Sequence, residues 1–213
     1  MTAGPIYFYS FVEDEATKAV AVRLIDYFRA ESCREIVLQN GHPVVTHGYG
    51  DLKEKAKKLI GAAKSGIDSF FLTDLDRYET PNDLGRDWFD INCLSEVPLN
   101  FVFRISVREI ESWIMADKVA FAKFMGVDPV NFPEKPDEEV DPKQFLFNLI
   151  RAKCKKKCYL DMLPLEGQHV GINYNPMLCS FVANRWSPER AAGRSPSLSR
   201  SLARVLELIA QHA

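Results

Sequence analysis

Two carboxylates one residue apart close a short apolar run in Phe70-Phe71-Leu72-Thr73-Asp74-Leu75-Asp76. An apolar run of this length reads as a buried strand. In open α/β sheets, ligands gather beyond the carboxyl ends of the strands. Asp74 and Asp76 are therefore candidate ligands for a hard divalent cation, which prefers oxygen donors. An acidic turn would look the same, because Asp is common in turns. The choice depends on which other residues the fold brings to that edge.

Further carboxylates follow other strand-like runs. Ile6-Tyr7-Phe8-Tyr9-Ser10-Phe11-Val12 is aromatic and β-branched, a strand by composition, and Glu13-Asp14-Glu15 comes next. These acids also suit the positive end of the helix predicted by the spacing of Ala16, Ala19, Val20, Leu24 and Phe28. Ile36-Val37-Leu38 reads as a second strand, Ile67 to Thr73 as a third, and Leu99 to Val107 as a fourth. Glu109 and Glu111 open the helix after the fourth, off its apolar stripe of Ile110, Trp113, Ile114, Phe121 and Phe124. That stripe, like Trp186, reads as core rather than as a base-stacking surface. Gly126 closes this helix.

Strand and helix alternate about four times, which predicts an α/β fold with a parallel sheet wound on both faces. The carboxylates after the first, third and fourth strands then share one edge. The segment Gln39 to Gly50, with three glycines and a proline, reads as a loop. It lacks the Gly-Lys-Ser/Thr ending of a phosphate loop, and its His42 and His47 read as surface residues. Asp51 caps a helix from Leu52 to about Lys64, and Pro81-Asn82-Asp83 starts another that includes Trp88 and Phe89. Residues 1–126 form the α/β domain. Residues 127–213 form a basic, mostly helical extension packed on it, with helices over Lys143 to Arg151, from Asn175-Pro176 through Phe181, and from Ser197 to Ala210.

The charge is uneven. Residues 141–213 carry eleven Lys or Arg against five Asp or Glu, whereas the first 140 carry 16 against 24. A basic extension beside an acidic body fits a protein that gathers cations in one place and meets a polyanion with another. The basic residues are Lys153, Lys155, Lys156, Lys157, Arg185, Arg190 and Arg194. A solvated helix face is the plainer reading. Five cysteines follow no regular framework, and Cys154 and Cys158 have no second pair to complete a zinc site. Reduced thiols, the lack of a basic-then-apolar start at Met1-Thr2-Ala3-Gly4-Pro5 and the lack of an apolar run of about 20 residues point to a cytoplasmic protein with no membrane partner.

Taken together, Val12-Glu13-Asp14-Glu15, Leu72-Thr73-Asp74-Leu75-Asp76, Arg108-Glu109-Ile110-Glu111-Ser112-Trp113-Ile114-Met115-Ala116-Asp117, Asp141-Pro142-Lys143-Gln144, Tyr174-Asn175 and Ser195-Pro196-Ser197-Leu198 resemble a bacterial family of unknown function. Its members are small Toprim-like proteins, related to RloB proteins and more distantly to the nuclease domains of the overcoming-lysogenization-defect (OLD) family. The resemblance covers nearly the whole chain. It implies a four-stranded parallel sheet flanked by helices. It matches the family's first glutamate with Glu13, its Asp-x-Asp with Asp74 and Asp76, and its Glu-x-Trp with Glu111 and Trp113. Many Toprim proteins have glycine after the first glutamate, and this chain has Asp14. The kinship also implies an ABC/OLD-type ATPase partner and an anti-phage role, and it leaves oligomeric state open.

Carboxylates so placed suit Mg²⁺ or Mn²⁺ and phosphodiester hydrolysis of DNA or RNA. Glu13, Asp74 and Asp76 are the expected ligands. Glu111 is a second ligand or a base for water, and Glu109 a further ligand. Lys143, favoured by the family motif, or Arg104 or Arg108 would meet the developing phosphorane charge. A haloacid-dehalogenase-type phosphatase fits poorly, because Tyr78 holds the slot where that motif needs Thr or Val. A receiver domain fits poorly beyond residue 126. The remaining alternative is a non-catalytic Toprim-like sensor or regulatory subunit of an ATPase complex.

Overall fold

A computed structural model describes residues 4–211; Met1, Thr2 and Ala3, part of the segment inspected for a leader, lie outside it. Five parallel strands are present: β1 (Ile6–Val12), β2 (Ile36–Leu38), β3 (Val44–Val45), β4 (Ser69–Asp74) and β5 (Phe101–Ser106). The order is β2-β1-β4-β5. β2 pairs with the start of β1, Ile6 opposite Ile36, and β3 pairs with its end, Val12 opposite Val45. The segment expected to be a loop over 39–50 thus holds the two-residue β3, too short to show any period. β4 is buried along its length, as its continuous apolar run requires.

Helices cover both faces. α2 (Tyr49–Ala63) and α3 (Pro81–Phe89) enclose Phe71, Phe101, Phe103 and Ile105 on one face. On the other lie α1 (Glu15–Ser32), α4 (Ile110–Ala116) and α5 (Lys118–Met125). The extension contributes α6 (Pro142–Lys153), the short α7 (Lys157–Leu160), α8 (Tyr174–Asn184), the short α9 (Pro188–Ala192) and α10 (Pro196–Gln211). One apolar cluster runs from Ile6 through Trp113 to Ile209, so residues of the segments 1–126 and 127–213 share a core. Among the described residues, no helix is long and apolar enough to cross a membrane.

The helix expected to run unbroken to Gly126 is divided at Asp117 (φ −78°, ψ 57°). The Asp117 carboxylate accepts two hydrogen bonds from Arg190, at 3.0 and 2.7 Å, and one from the Ser187 backbone at 3.0 Å. The bidentate pairing satisfies the buried Asp117 carboxylate at the point where the chain leaves helical geometry. Trp113 and Trp186 are core residues. Trp113 Nε1 donates to Ser197 Oγ at 2.7 Å, and Trp186 Nε1 donates to the Trp113 carbonyl at 3.0 Å.

The irregular stretch before α8 is tightly built around Gly171, whose N–H donates to the Met162 carbonyl. A Cβ at Gly171 would stand 2.3 Å from the Asp161 carbonyl oxygen and 2.4 Å from that of Leu163. Gly171→Ala should therefore cost about 1–3 kcal/mol, the range of overpacking. A urea titration, read as a lower midpoint at unchanged slope, checks this.

A candidate metal centre at the carboxyl edge of the sheet

Three neighbouring parallel strands end at the same edge and release their acids there. Glu13 follows the last residue of β1, Asp74 is the last residue of β4, and Glu109 and Glu111 follow β5. Asp14 is the N-cap of α1, accepting from the Thr17 N–H at 2.8 Å. Asp76 lies two residues beyond β4 with φ 50°, a left-handed conformation that Asp tolerates better than most residues. Its N–H donates to the Arg108 carbonyl at 3.0 Å, which ties the turn after β4 to the one after β5. Asp76 is exposed, Glu13 and Asp74 are half-buried and Glu111 is buried.

The extension inserts a lysine among these acids. Asp141 caps α6 by accepting from the Gln144 N–H at 2.7 Å, and Pro142 takes the first helical position. Lys143 comes next. Its backbone N–H donates to Glu109 Oε2 at 3.0 Å, and its ammonium lies 3.7 Å from Glu109 and 3.8 Å from Glu111. Glu109 therefore also binds the N-terminus of α6, where a carboxylate is favoured. The Lys143 charge is felt by Asp14, Asp74, Glu109, Glu111, Glu13 and Asp76.

Burial and mutual repulsion raise the proton affinity of the cluster. Burial, then the charges of Asp76 and Asp14, pushes Glu13 up to about 7. Asp74 is raised by burial and by Glu111, against a hydrogen bond from Ser106. Glu111 is raised by burial, although Lys143 opposes this and the Tyr174 hydroxyl donates to its Oε1 at 2.6 Å. Asp76 and Glu109 are raised by burial. Burial works to lower Lys143, but the Glu111 and Glu109 carboxylates outweigh it and hold the ammonium above its ordinary range.

Two carboxylate oxygens, Glu13 Oε2 and Glu111 Oε2, are buried with no hydrogen-bond partner. Such atoms are costly to desolvate unless a cation or proton meets them. The donors fit a hard divalent ion in kind. Their spacing is that of acids arranged around an ammonium: among the described residues, no three His, Cys, Asp or Glu side chains stand close enough together to hold a metal ion.

A cleft of about 570 Å³ opens beside the cluster, lined by Tyr49, Arg77, Tyr78 and Arg108 together with Asp76 and Glu109. Arg108, which lines the cleft, donates from Nη1 to the Tyr78 carbonyl at 2.5 Å. Arg104 is elsewhere, on β5 near Arg204 of α10. His42 and His47 are exposed.

The seven basic residues of the extension have different surroundings. Lys153, Lys155, Lys156 and Lys157 are exposed at the end of α6 and the start of α7, about 15 Å along the helix from Lys143. Arg190 is taken by Asp117, Arg194 pairs with Glu134 at 2.6 Å, and Arg185 lies over the Phe124 ring at 5.7 Å. Tyr174 and Ser106, which hold Glu111 and Asp74, carried no sign of this role in the residues around them beyond the Tyr174-Asn175 motif.

The chain thus belongs to the α/β proteins with a parallel sheet and an acidic cluster at the carboxyl edge. Compared with protein-family models, with curated proteins and with solved structures, it matches none.

Glu13 binds its proton more tightly in the folded state, so its contribution to stability is present below about pH 4.5 and is lost as pH rises through about 7. In chelator, the melting temperature should fall between pH 5.5 and pH 8, and Glu13→Gln should flatten that fall. Added Mn²⁺ should raise the melting temperature more at pH 8 than at pH 5.5, as ligation requires ionised carboxylates. Differential scanning fluorimetry at constant ionic strength reads both effects.

Proposed function

We propose that the chain is a divalent-metal-dependent nuclease of Toprim-like design, hydrolysing phosphodiesters of DNA or RNA. The observation that carries this reading is the gathering of Glu13, Asp74, Asp76, Glu109 and Glu111 at three neighbouring strand ends, the last two paired with the Lys143 ammonium, with two buried carboxylate oxygens unpartnered. Glu13, Asp74 and Asp76 would hold Mg²⁺ or Mn²⁺, with Glu111 and Glu109 beside them. Such an ion supplies charge neutralisation and a water poised to attack.

The chain's own groups do the rest. Lys143, drawn away from Glu109 and Glu111, meets the charge that develops on phosphorus. Tyr174 holds one Glu111 oxygen, leaving the other to accept a proton from water. Arg77 and Arg108 receive phosphates of the strand in the cleft. The four lysines at the far end of α6 hold the backbone about 15 Å away. The resemblance alone adds an ABC/OLD-type ATPase partner and a place in anti-phage defence as the effector subunit.

A non-catalytic sensor or regulatory subunit is the second reading. It is favoured by the Lys143 ion pairs, which a resting acidic site would keep. Incubation with Mn²⁺ and labelled single- and double-stranded DNA or RNA separates the two, alone and with the ATPase. The nuclease reading expects cleavage that Asp74→Asn or Asp76→Ala abolishes and that Lys143→Met slows on the order of 10²–10³-fold. No cleavage of any substrate, with or without the ATPase, leaves the sensor reading.

Nucleic-acid affinity tests the basic end of α6. Replacing Lys155, Lys156 and Lys157 by Ala should weaken binding similarly for all sequences. It should also reduce the slope of log affinity against log salt by about 0.9 per lysine on a duplex. Fluorescence anisotropy between 50 and 200 mM salt measures this.

A further inference from the structure

α10 packs on β5, and beside that contact a groove of about 560 Å³ lies between α10 and the segment 94–99. Leu94, Val97, Pro98 and Leu99 line it from that segment, and Leu99 is 55 % exposed. Three arginines line it as well: Arg104 from β5, and Arg200 and Arg204 from α10. The last two are four residues apart and so share one face of the helix.

These cations lack counter-charge. Arg204 pairs with Glu207 at 3.3 Å, an exposed contact within one helix. Among the described residues, neither Arg104 nor Arg200 has a carboxylate within ion-pair distance. Arg104 is half-buried; its Nε donates to the Phe103 carbonyl at 2.6 Å, whereas its two Nη groups donate to no protein acceptor among the described residues. Burial, then the neighbouring Arg204 charge, lowers Arg104 to about 10. A half-buried cation beside another cation is unfavourable unless an anion meets them. Two guanidiniums are left over after Glu207, a charge that a phosphate dianion matches and a single carboxylate does not. Guanidinium forks also bind phosphate oxygens in pairs. A concave site of a few hundred Å³ with apolar walls and a few charged groups has the form of a small-molecule site.

We propose that this groove binds a nucleotide, its phosphate held by Arg104, Arg200 and Arg204 and its base and sugar set against Leu94, Val97 and Leu99. A free mononucleotide and the phosphorylated end of a strand share this chemistry. No residue lines both this groove and the cleft beside the acidic cluster. The proposal therefore does not depend on the nuclease reading.

The test is isothermal titration calorimetry of the full-length protein in chelator, which keeps metal out of the acidic cluster. The probes are the four nucleoside monophosphates, the matching nucleosides and inorganic phosphate. At least one monophosphate should bind, with its nucleoside and inorganic phosphate each weaker by about tenfold or more. Arg200→Glu and Arg104→Gln should each weaken that monophosphate by about tenfold or more. Arg200→Glu, an exposed substitution, should leave the melting temperature unchanged. A 5′-phosphorylated dinucleotide separates the two sources: if it binds more tightly than the monophosphate the ligand is a strand end, and if more weakly it is a free nucleotide. No binding of monophosphate or dinucleotide below about 1 mM overturns the proposal. So does equal affinity for the monophosphate and its nucleoside or inorganic phosphate, indifference to both arginine substitutions, or a hexaglutamate peptide that binds as tightly.

Discussion

Carboxylates collected at one end of a sheet repel each other, and half-burial strengthens the repulsion by removing water. Lys143 is the charge that makes the arrangement tenable. Its ammonium is within reach of Glu109 and Glu111, and it acts electrostatically on Asp14, Asp74, Glu13 and Asp76 as well. The Asp141 cap, the proline after it and the Glu109 bond to the Lys143 N–H all serve to hold that one side chain in place. The packing of α6 through Leu146, Phe147 and Ile150 then decides how firmly the helix is held. Site and core are thus mechanically continuous.

The polar groups that support the acids are themselves anchored in the core. Tyr174 opens α8, and α8 packs on α1 through Leu178 and Phe181. Trp113, one turn after Ile110, hands its indole N–H to Ser197 at the start of α10, while Trp186 caps the Trp113 carbonyl. The helix that carries Glu111 is therefore fixed at both ends by the extension. Glu111 is held by that enclosure and by Tyr174 rather than by the short α4 itself, which has no side-chain cap.

The strands and the acids at their ends were legible in the sequence because β1, β4 and β5 are long, aromatic or β-branched, and each stops at a charge. The parallel order followed from their alternation with helices. The cap before Pro196 was legible because capping is local chemistry. β3, α7 and α9 were not, being two to five residues long. The break at Asp117 was hidden, and its partner there, Arg190, lies 73 residues away. For the same reason Arg190 and Arg194 read as free basic residues, although each has an acidic partner contributed by another part of the fold. Long-range pairing leaves no periodicity for a sequence to display. The convergence on Lys143 is of this kind too: only the motif Asp141-Pro142-Lys143-Gln144 drew attention to it.

Every acid of the cluster lies within the first 111 residues, and the ammonium that balances them comes 32 residues later. During synthesis the sheet edge is made before the ammonium that pairs with Glu109 and Glu111. Docking of the extension is what brings the Lys143 ammonium to this edge.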